Sequence, residues 1–109
     1  MTKKVGDKLI PHGLGFTRWP TNHSYDGQFK NGKFNGFGIY KSPGLWEYSG
    51  LWKNNSMHGY GEKKEYNGKI YEGQFKNSKY HGKGILTEPN FYRFEGTFKN
   101  DHANGMGKV

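Results

Sequence analysis

Apolar rings alternate with polar residues in short runs along this chain. In Tyr71-Glu72-Gly73-Gln74-Phe75-Lys76, residues Tyr71, Gly73 and Phe75 fall on one side of an extended backbone, and Glu72, Gln74 and Lys76 on the other. That period of two predicts a strand. The run recurs every 23 residues, as Tyr25, Tyr48, Tyr71 and Phe94 show, followed two residues on by Gly27, Gly50, Gly73 and Gly96, and two further on by Phe29, Trp52, Phe75 and Phe98. Each run ends in Lys-Asn. The pairs Asn31-Gly32, Asn54-Asn55, Asn77-Ser78 and Asn100-Asp101 tolerate positive φ and predict tight hairpin turns. A Gly-x-Gly then opens a return strand, at Gly36/Gly38, Gly59/Gly61, Gly82/Gly84 and Gly105/Gly107. Ser42-Pro43-Gly44, Asn67-Gly68 and Glu88-Pro89-Asn90 read as connectors. No segment has helical periodicity.

Self-similarity at a fixed spacing predicts a stacked-repeat architecture of one hairpin plus a connector per unit. The organisation expected is an N-terminal segment 1–10, a half unit 11–24, units 25–47, 48–70 and 71–93, and a partial unit 94–109. The half unit carries Gly13 and Gly15 but has no Tyr-x-Gly-x-Trp strand. Glycine inside a strand ordinarily weakens it, so three per unit need a compensating gain. A glycine between two rings leaves a hollow where a neighbouring ring lies flat, and aromatic pairs add about 0.5–1.5 kcal/mol beyond area burial.

Composition fits this reading. Only 31% of residues are hydrophobic, but 17% are aromatic, too many for a disordered chain. The expectation is an ordered, thin structure stabilised by rings. The absence of cysteine excludes disulfides, thiolate metal sites and cysteine nucleophiles. No apolar run reaches the ~20 residues of a membrane-spanning helix. Met1 to Ile10 has lysines but no apolar stretch, which argues against a secretory signal and for a cytoplasmic location. The net charge is +8, and all the basic residues except Arg18 and Arg93 are lysines. That balance favours acidic partners or anionic surfaces, or simply keeps sheet edges soluble.

From Pro11 to Val109 these motifs resemble the MORN (membrane occupation and recognition nexus) family, whose repeat reads roughly Tyr-x-Gly-x-Trp/Phe-x-x-Gly-x-x-x-Gly-x-Gly. Two features depart from the pattern. The turn glycine occurs only as Gly32, with Asn55, Ser78 and Asp101 elsewhere. The late glycine is clear at Gly68, sits one place early at Gly44, and is replaced by Phe91 in the next unit. The resemblance implies an all-β fold, an elongated single-layer antiparallel sheet of stacked 23-residue hairpins. It also implies a non-catalytic scaffold or adaptor binding protein partners in a larger assembly, cytoskeletal or ciliary and radial-spoke-like. The alternatives it leaves are a peripheral binder of anionic phospholipids, a structural subunit of an organellar or membrane-bound complex, and the repeat region of an enzyme such as a lipid kinase or lysine methyltransferase.

Candidate chemistry is sparse. His12, His58 and His81 share one repeat position, but equivalent residues lie two strands, or ~10 Å, apart. Metal–nitrogen bonds of ~2 Å forbid two of them from sharing an ion. Asp26, Glu72 and Glu95 form a column on the polar face, without a pocket to perturb them. The Gly-x-Gly pairs lack the Gly-Lys-Ser/Thr ending and following helix of a phosphate loop. No catalytic residue, metal or cofactor is expected. Lys30, Lys53, Lys76 and Lys99 form a ladder with ~10 Å rungs suited to an anionic surface, or paired with the acids four residues earlier. Tyr48, Trp52, Tyr71 and Phe75 are the rings expected to meet a protein partner. Rings and lysines on opposite faces argue against single-stranded nucleic acid, which uses both together. Open sheet edges leave room for homo-oligomers.

Overall fold

The computed structural model describes residues 2–5 and 8–104, with side chains for 12–90 and 92–104. Thr2–Val5 (β1) and Lys8–Pro11 (β2) pair as a two-stranded hairpin. Nine further strands form one antiparallel sheet in chain order, each beside its predecessor. They are Gly13–Arg18 (β3), Ser24–Lys30 (β4), Lys33–Ser42 (β5), Trp46–Lys53 (β6), Ser56–Glu65 (β7), Ile70–Lys76 (β8), Lys79–Glu88 (β9), Tyr92–Lys99 (β10) and His102–Ala103 (β11). The molecule measures 53 × 26 × 17 Å, an elongated single layer as the repeat predicts. The half unit joins the sheet as well, since β3 pairs with β4 from Gly13↔Phe29 to Arg18↔Ser24. A short 3-10 turn, Pro89–Phe91, interrupts the last connector, where the proline fixes φ at its start.

The hairpin turns follow from their residues. Asn54 and Asn55 have φ of 47° and 70°, and Asn77 and Ser78 of 51° and 66°, the paired positive values of a tight twisted turn. The missing turn glycines also have a use. Asn55 Oδ1 accepts from the Phe34 N–H at 2.8 Å, Ser78 Oγ from the Met57 N–H at 3.1 Å, and Asp101 Oδ1 from the Tyr80 N–H at 2.8 Å. The backbone N–H groups of Asn55, Ser78 and Asp101 donate in return to the carbonyls of Phe34, Met57 and Tyr80 at 2.9–3.1 Å. Every turn from the second onward therefore clips onto the hairpin before it. At the first junction the corresponding pair is Pro11, which has no N–H, and Gly32, which has no side chain. The N–H donor and the side-chain acceptor are missing together.

The hidden face is a chain of rings. Phe29 meets Tyr25 edge-on at 5.0 Å, Tyr25 meets Trp52 at 5.7 Å, and Trp52 meets Tyr48 at 5.0 Å. Tyr48–Phe75, Phe75–Tyr71 and Tyr71–Phe98 continue it at 5.0–5.1 Å. Within units, Tyr25 stacks on Phe34 at 3.8 Å and Tyr71 on Tyr80 at 3.9 Å, while Met57 takes that place in the middle unit. Such edge-to-face contacts are the favoured geometry of aromatic pairs. Trp52 Nε1 donates to the Gly38 carbonyl at 3.0 Å, so its buried N–H is satisfied.

Glycine makes room for these rings. One row of paired glycines crosses the sheet from Gly15↔Gly27 through Gly50↔Gly61 to Gly84↔Gly96. A Cβ on Gly38, Gly61 or Gly84 would run into the ring of Tyr25, Tyr48 or Tyr71. Gly82, the first glycine of its Gly-x-Gly, is selected differently. At Gly82 a Cβ would come no closer than 3.4 Å to the Gln74 side chain, but φ is +82°. Backbone conformation, not space, selects glycine there.

That conformation accompanies a bulge. The β4/β5, β6/β7 and β8/β9 pairs each shift register between the strand glycine and the following ring. The hydroxyls of Tyr25, Tyr48 and Tyr71 donate to the carbonyls of Gln28, Leu51 and Gln74 at 2.7–2.8 Å. Each hydroxyl thus takes up a strand carbonyl at the bulge. In the last unit the tyrosine is Phe94, and the Asn104 N–H donates straight to the Thr97 carbonyl at 2.8 Å. No tyrosine hydroxyl is inserted there, and the Thr97 hydroxyl donates to the Asn104 carbonyl beside the direct ladder bond.

Two substitution series test this account. Gly84→Val is expected to cost about 3 kcal/mol by overpacking the Tyr71 ring, and Gly82→Ala about 1 kcal/mol by backbone strain alone. Urea unfolding measures both, and equal losses would contradict the division of roles. Tyr48→Phe is expected to cost about 1–2 kcal/mol, because the part-buried Leu51 carbonyl loses its donor. An unchanged urea midpoint would mean that the strands close over the gap.

Candidate interaction surface

The structure separates the two sets of residues singled out in the sequence. Tyr48, Trp52, Tyr71 and Phe75 all lie in the ring chain and are between 0% and 6% exposed. Their surfaces are taken up by internal packing, so a partner approaching the folded sheet does not reach them. Their chemistry is that of a core. Burial pushes the Tyr25 and Tyr71 hydroxyls up to about 12. Burial raises Tyr48 and Tyr80 further, with Glu65 and Asp101 adding to the effect at Tyr80. Ionisation is therefore disfavoured in the folded state.

Lys30, Lys53, Lys76 and Lys99 are all exposed, on the face opposite the rings and beside the hairpin turns. Lys30 pairs across its hairpin with Lys33, and Lys76 with Lys79, which thickens the ladder into a basic border. Among the described residues the ladder lysines make no ion pair. The acids meant to neutralise them are engaged elsewhere or too far along the strand: Glu95 pairs with Arg93 at 3.4 Å, and Glu72 accepts from the Tyr60 hydroxyl at 2.6 Å. The histidine column is spread out as expected. His12 Nδ1 accepts from the Asn31 N–H at 3.4 Å, and Asn35 Oδ1 from the Asn54 N–H at 3.4 Å, a turn-supporting role. No cluster of metal-ligating side chains occurs among the described residues.

A third feature is visible only in the folded sheet. On the outer face, the middle residues of the Gly-x-Gly triplets, Leu14, Phe37 and Tyr60, are 61%, 49% and 51% exposed. Leu51 lies opposite Phe37 and is also exposed. Between this row and the next, which carries Phe16, Ile39, Glu62 and Glu72, runs the belt of glycines. Two shallow hollows open over it, one of about 450 Å³ floored by Gly50 and one of about 480 Å³ floored by Gly73, Gly84 and Gly96. Tyr60 and Glu72 line both, so the hollows adjoin. The bond to Glu72 raises the Tyr60 hydroxyl above its usual value. The sequence carried a signal for this strip, since Leu14, Phe37 and Tyr60 recur on the 23-residue period.

Segments 10–24, 25–44, 48–69, 71–90 and 94–109 each match the family described as MORN repeat. The chain belongs to the MORN repeat family. The MORN repeat is a non-catalytic repeat module. Alsin from human, mouse and chimpanzee is 46% identical to this chain over 33 residues. Those residues are 30% of this chain and 2% of alsin. In the MORN array, the position that varies between aromatic, aliphatic and lysine in the Gly-x-Gly triplet is the one that faces outward, while the tyrosine and glycine columns face the core.

The buried tyrosines give a pH dependence with a definite sign. Phenols in the unfolded chain ionise near ~10, whereas Tyr25 and Tyr71 hold their protons to about 12. The folded state binds more protons over that interval, so stability is constant below ~10 and falls as pH rises from ~10 towards 12. Chemical denaturation at stepped alkaline pH measures this. A midpoint unchanged across that window would contradict the buried placement of the hydroxyls.

Proposed function

We propose that this chain is a non-catalytic scaffold or adaptor that holds protein partners in a larger cytoplasmic assembly, cytoskeletal or ciliary in kind. The observation that carries the reading is the exposed apolar strip of Phe37, Leu51 and Tyr60 on one face of a sheet whose other face is already packed. Surfaces of that kind mark interaction sites. The sheet adds length: rigid strands at fixed spacing present the same kind of surface over tens of ångströms, which suits a spacer between components.

A second reading, attachment to anionic phospholipid, draws on the unpaired lysines of the turn border, each contributing ~1 kcal/mol near such a membrane and less as salt rises. One experiment separates the two. The endogenous protein is isolated with its companions under mild conditions, and the purified chain is floated with neutral and anionic vesicles at low and physiological salt. The scaffold reading expects stoichiometric protein companions of the cytoskeleton or axoneme and no vesicle binding at physiological salt. Companions belonging to a membrane-bound or organellar complex, or a catalytic chain bearing the repeats, would reassign it. Salt-sensitive flotation without protein companions would replace it with the lipid reading.

A further inference from the structure

The outer face is banded by charge in a way that limits what covers it. Of its two central rows, the one nearer the turns carries Leu14, Phe37, Leu51 and Tyr60 across β3–β7, and the other mixes Phe16, Ile39 and Ile85 with the acids Asp26, Glu62, Glu72 and Glu95. Lys83 is the one cation in those rows among the described residues. Both borders are basic. On the turn side stand the lysine ladder with Lys33 and Lys79, and on the connector side Arg18, Lys41, Lys64 and Arg93, with Glu47 among them. Successive rows on a strand are ~7 Å apart, so an apolar-to-acidic strip two rows wide lies between basic rows ~20 Å apart.

We infer that this strip is the seat of an amphipathic helix of a partner protein, with an apolar stripe and acidic residues along both flanks. The inference rests on the protein-scaffold reading and specifies its docking surface. A helix with its side chains is about 10–12 Å across. Laid over the glycine belt, it covers the two central rows and brings both flanks within side-chain reach of the basic borders. The apolar part, from β3 to β7, crosses four strand spacings, ~19 Å, which corresponds to about 13 helical residues. The adjoining hollows floored by Gly50 and by Gly73 and Gly84 take the largest side chains of the stripe, with Tyr60 and Glu72 as the ridge between them. Glu72 is in no ion pair among the described residues, so a cation on the helix at this ridge is matched.

The same banding disfavours other occupants. If a second copy packs face to face with its two-fold axis along the strands, lysine ladder meets lysine ladder. With the axis along the sheet, each ladder meets Arg18, Lys41 and Lys64 of the other copy. Either arrangement opposes like charges, which costs association rather than promoting it. A flat anionic bilayer would meet Asp26, Glu72 and Glu95 in the middle of the face along with the lysines, and it has nothing to enter the hollows. A convex, acid-flanked helix satisfies all three bands.

The test uses designed helical peptides as probes. One carries a Leu/Phe stripe with Glu on both flanks, a second has Lys at those Glu positions, and a third keeps the Glu flanks but scrambles the stripe. Fluorescence anisotropy on the full chain is expected to show the first binding at least tenfold tighter than either other, and weakening as salt rises. Phe37→Ser and Tyr60→Ser, both at exposed positions, are expected to reduce its affinity at least fivefold, and Lys53→Glu with Lys76→Glu to a similar degree. Tyr66→Ser, exposed on a connector away from the strip, is expected to leave binding unchanged. Circular dichroism of each variant checks that the sheet is intact. Equal binding of the Glu- and Lys-flanked peptides, or insensitivity to Phe37 and Tyr60, would overturn the inference, as would self-association or vesicle binding lost in Phe37→Ser. If endogenous companions persist with Phe37→Ser and Tyr60→Ser while the peptide fails, only the assignment of this strip falls. If no companions exist, the scaffold reading falls with it.

Discussion

A tyrosine ring lying over glycine backbone is the contact on which this structure depends. The sheet has no second layer, so the ordinary source of burial is missing. The ring must find its cover within its own hairpin, and only a residue without a Cβ allows that approach, as Tyr48 over Gly61 shows. Once the ring lies flat, its hydroxyl reaches the strand end and enters the backbone ladder at the bulge. The bulge in turn requires the positive φ of the first glycine in the triplet. Ring, hydroxyl, bulge and glycine pair are thus one device repeated along the chain, and neighbouring devices are joined by the edge of the next ring.

Because one face is fully occupied by this device, the opposite face is released from any packing duty. The tyrosine and glycine columns are held fixed by sterics, whereas the outward positions carry Leu14, Phe37, Tyr60 and Lys83 in the same column. Change along that column alters what the surface recognises without disturbing the core. A rigid repeat with a freely written face is a simple physical basis for a binding module.

Much of this was legible in the sequence, and the reasons are particular. The period-two run around Tyr71 to Lys76 and the Asn-led turns named the hairpins, since both effects are local. The exposure of the lysine ladder followed from alternation alone. Which face would be buried did not, because Tyr48, Trp52, Tyr71 and Phe75 are equally suited to a core and to an interface until the sheet is seen to close over them. The role of Gly82 was also hidden, as a missing side chain looks the same whether space or φ demands it. Asn55, Ser78 and Asp101 looked like departures from a turn glycine. Their purpose lies 21 residues upstream, in N–H groups that sequence spacing does not display.

Those clips have a direction. Each one joins a later turn to an earlier hairpin by a reciprocal pair of bonds, so every unit is fastened to the one that follows it. A chain emerging from the ribosome would form each hairpin before it can be fastened, and closure would trail synthesis by one unit. The order of fastening is therefore directional even though the repeats look alike. Loss of a unit from either end removes the clip that joined it to its neighbour. At the first junction, where Pro11 corresponds to Gly32, the side-chain half of the clip is missing.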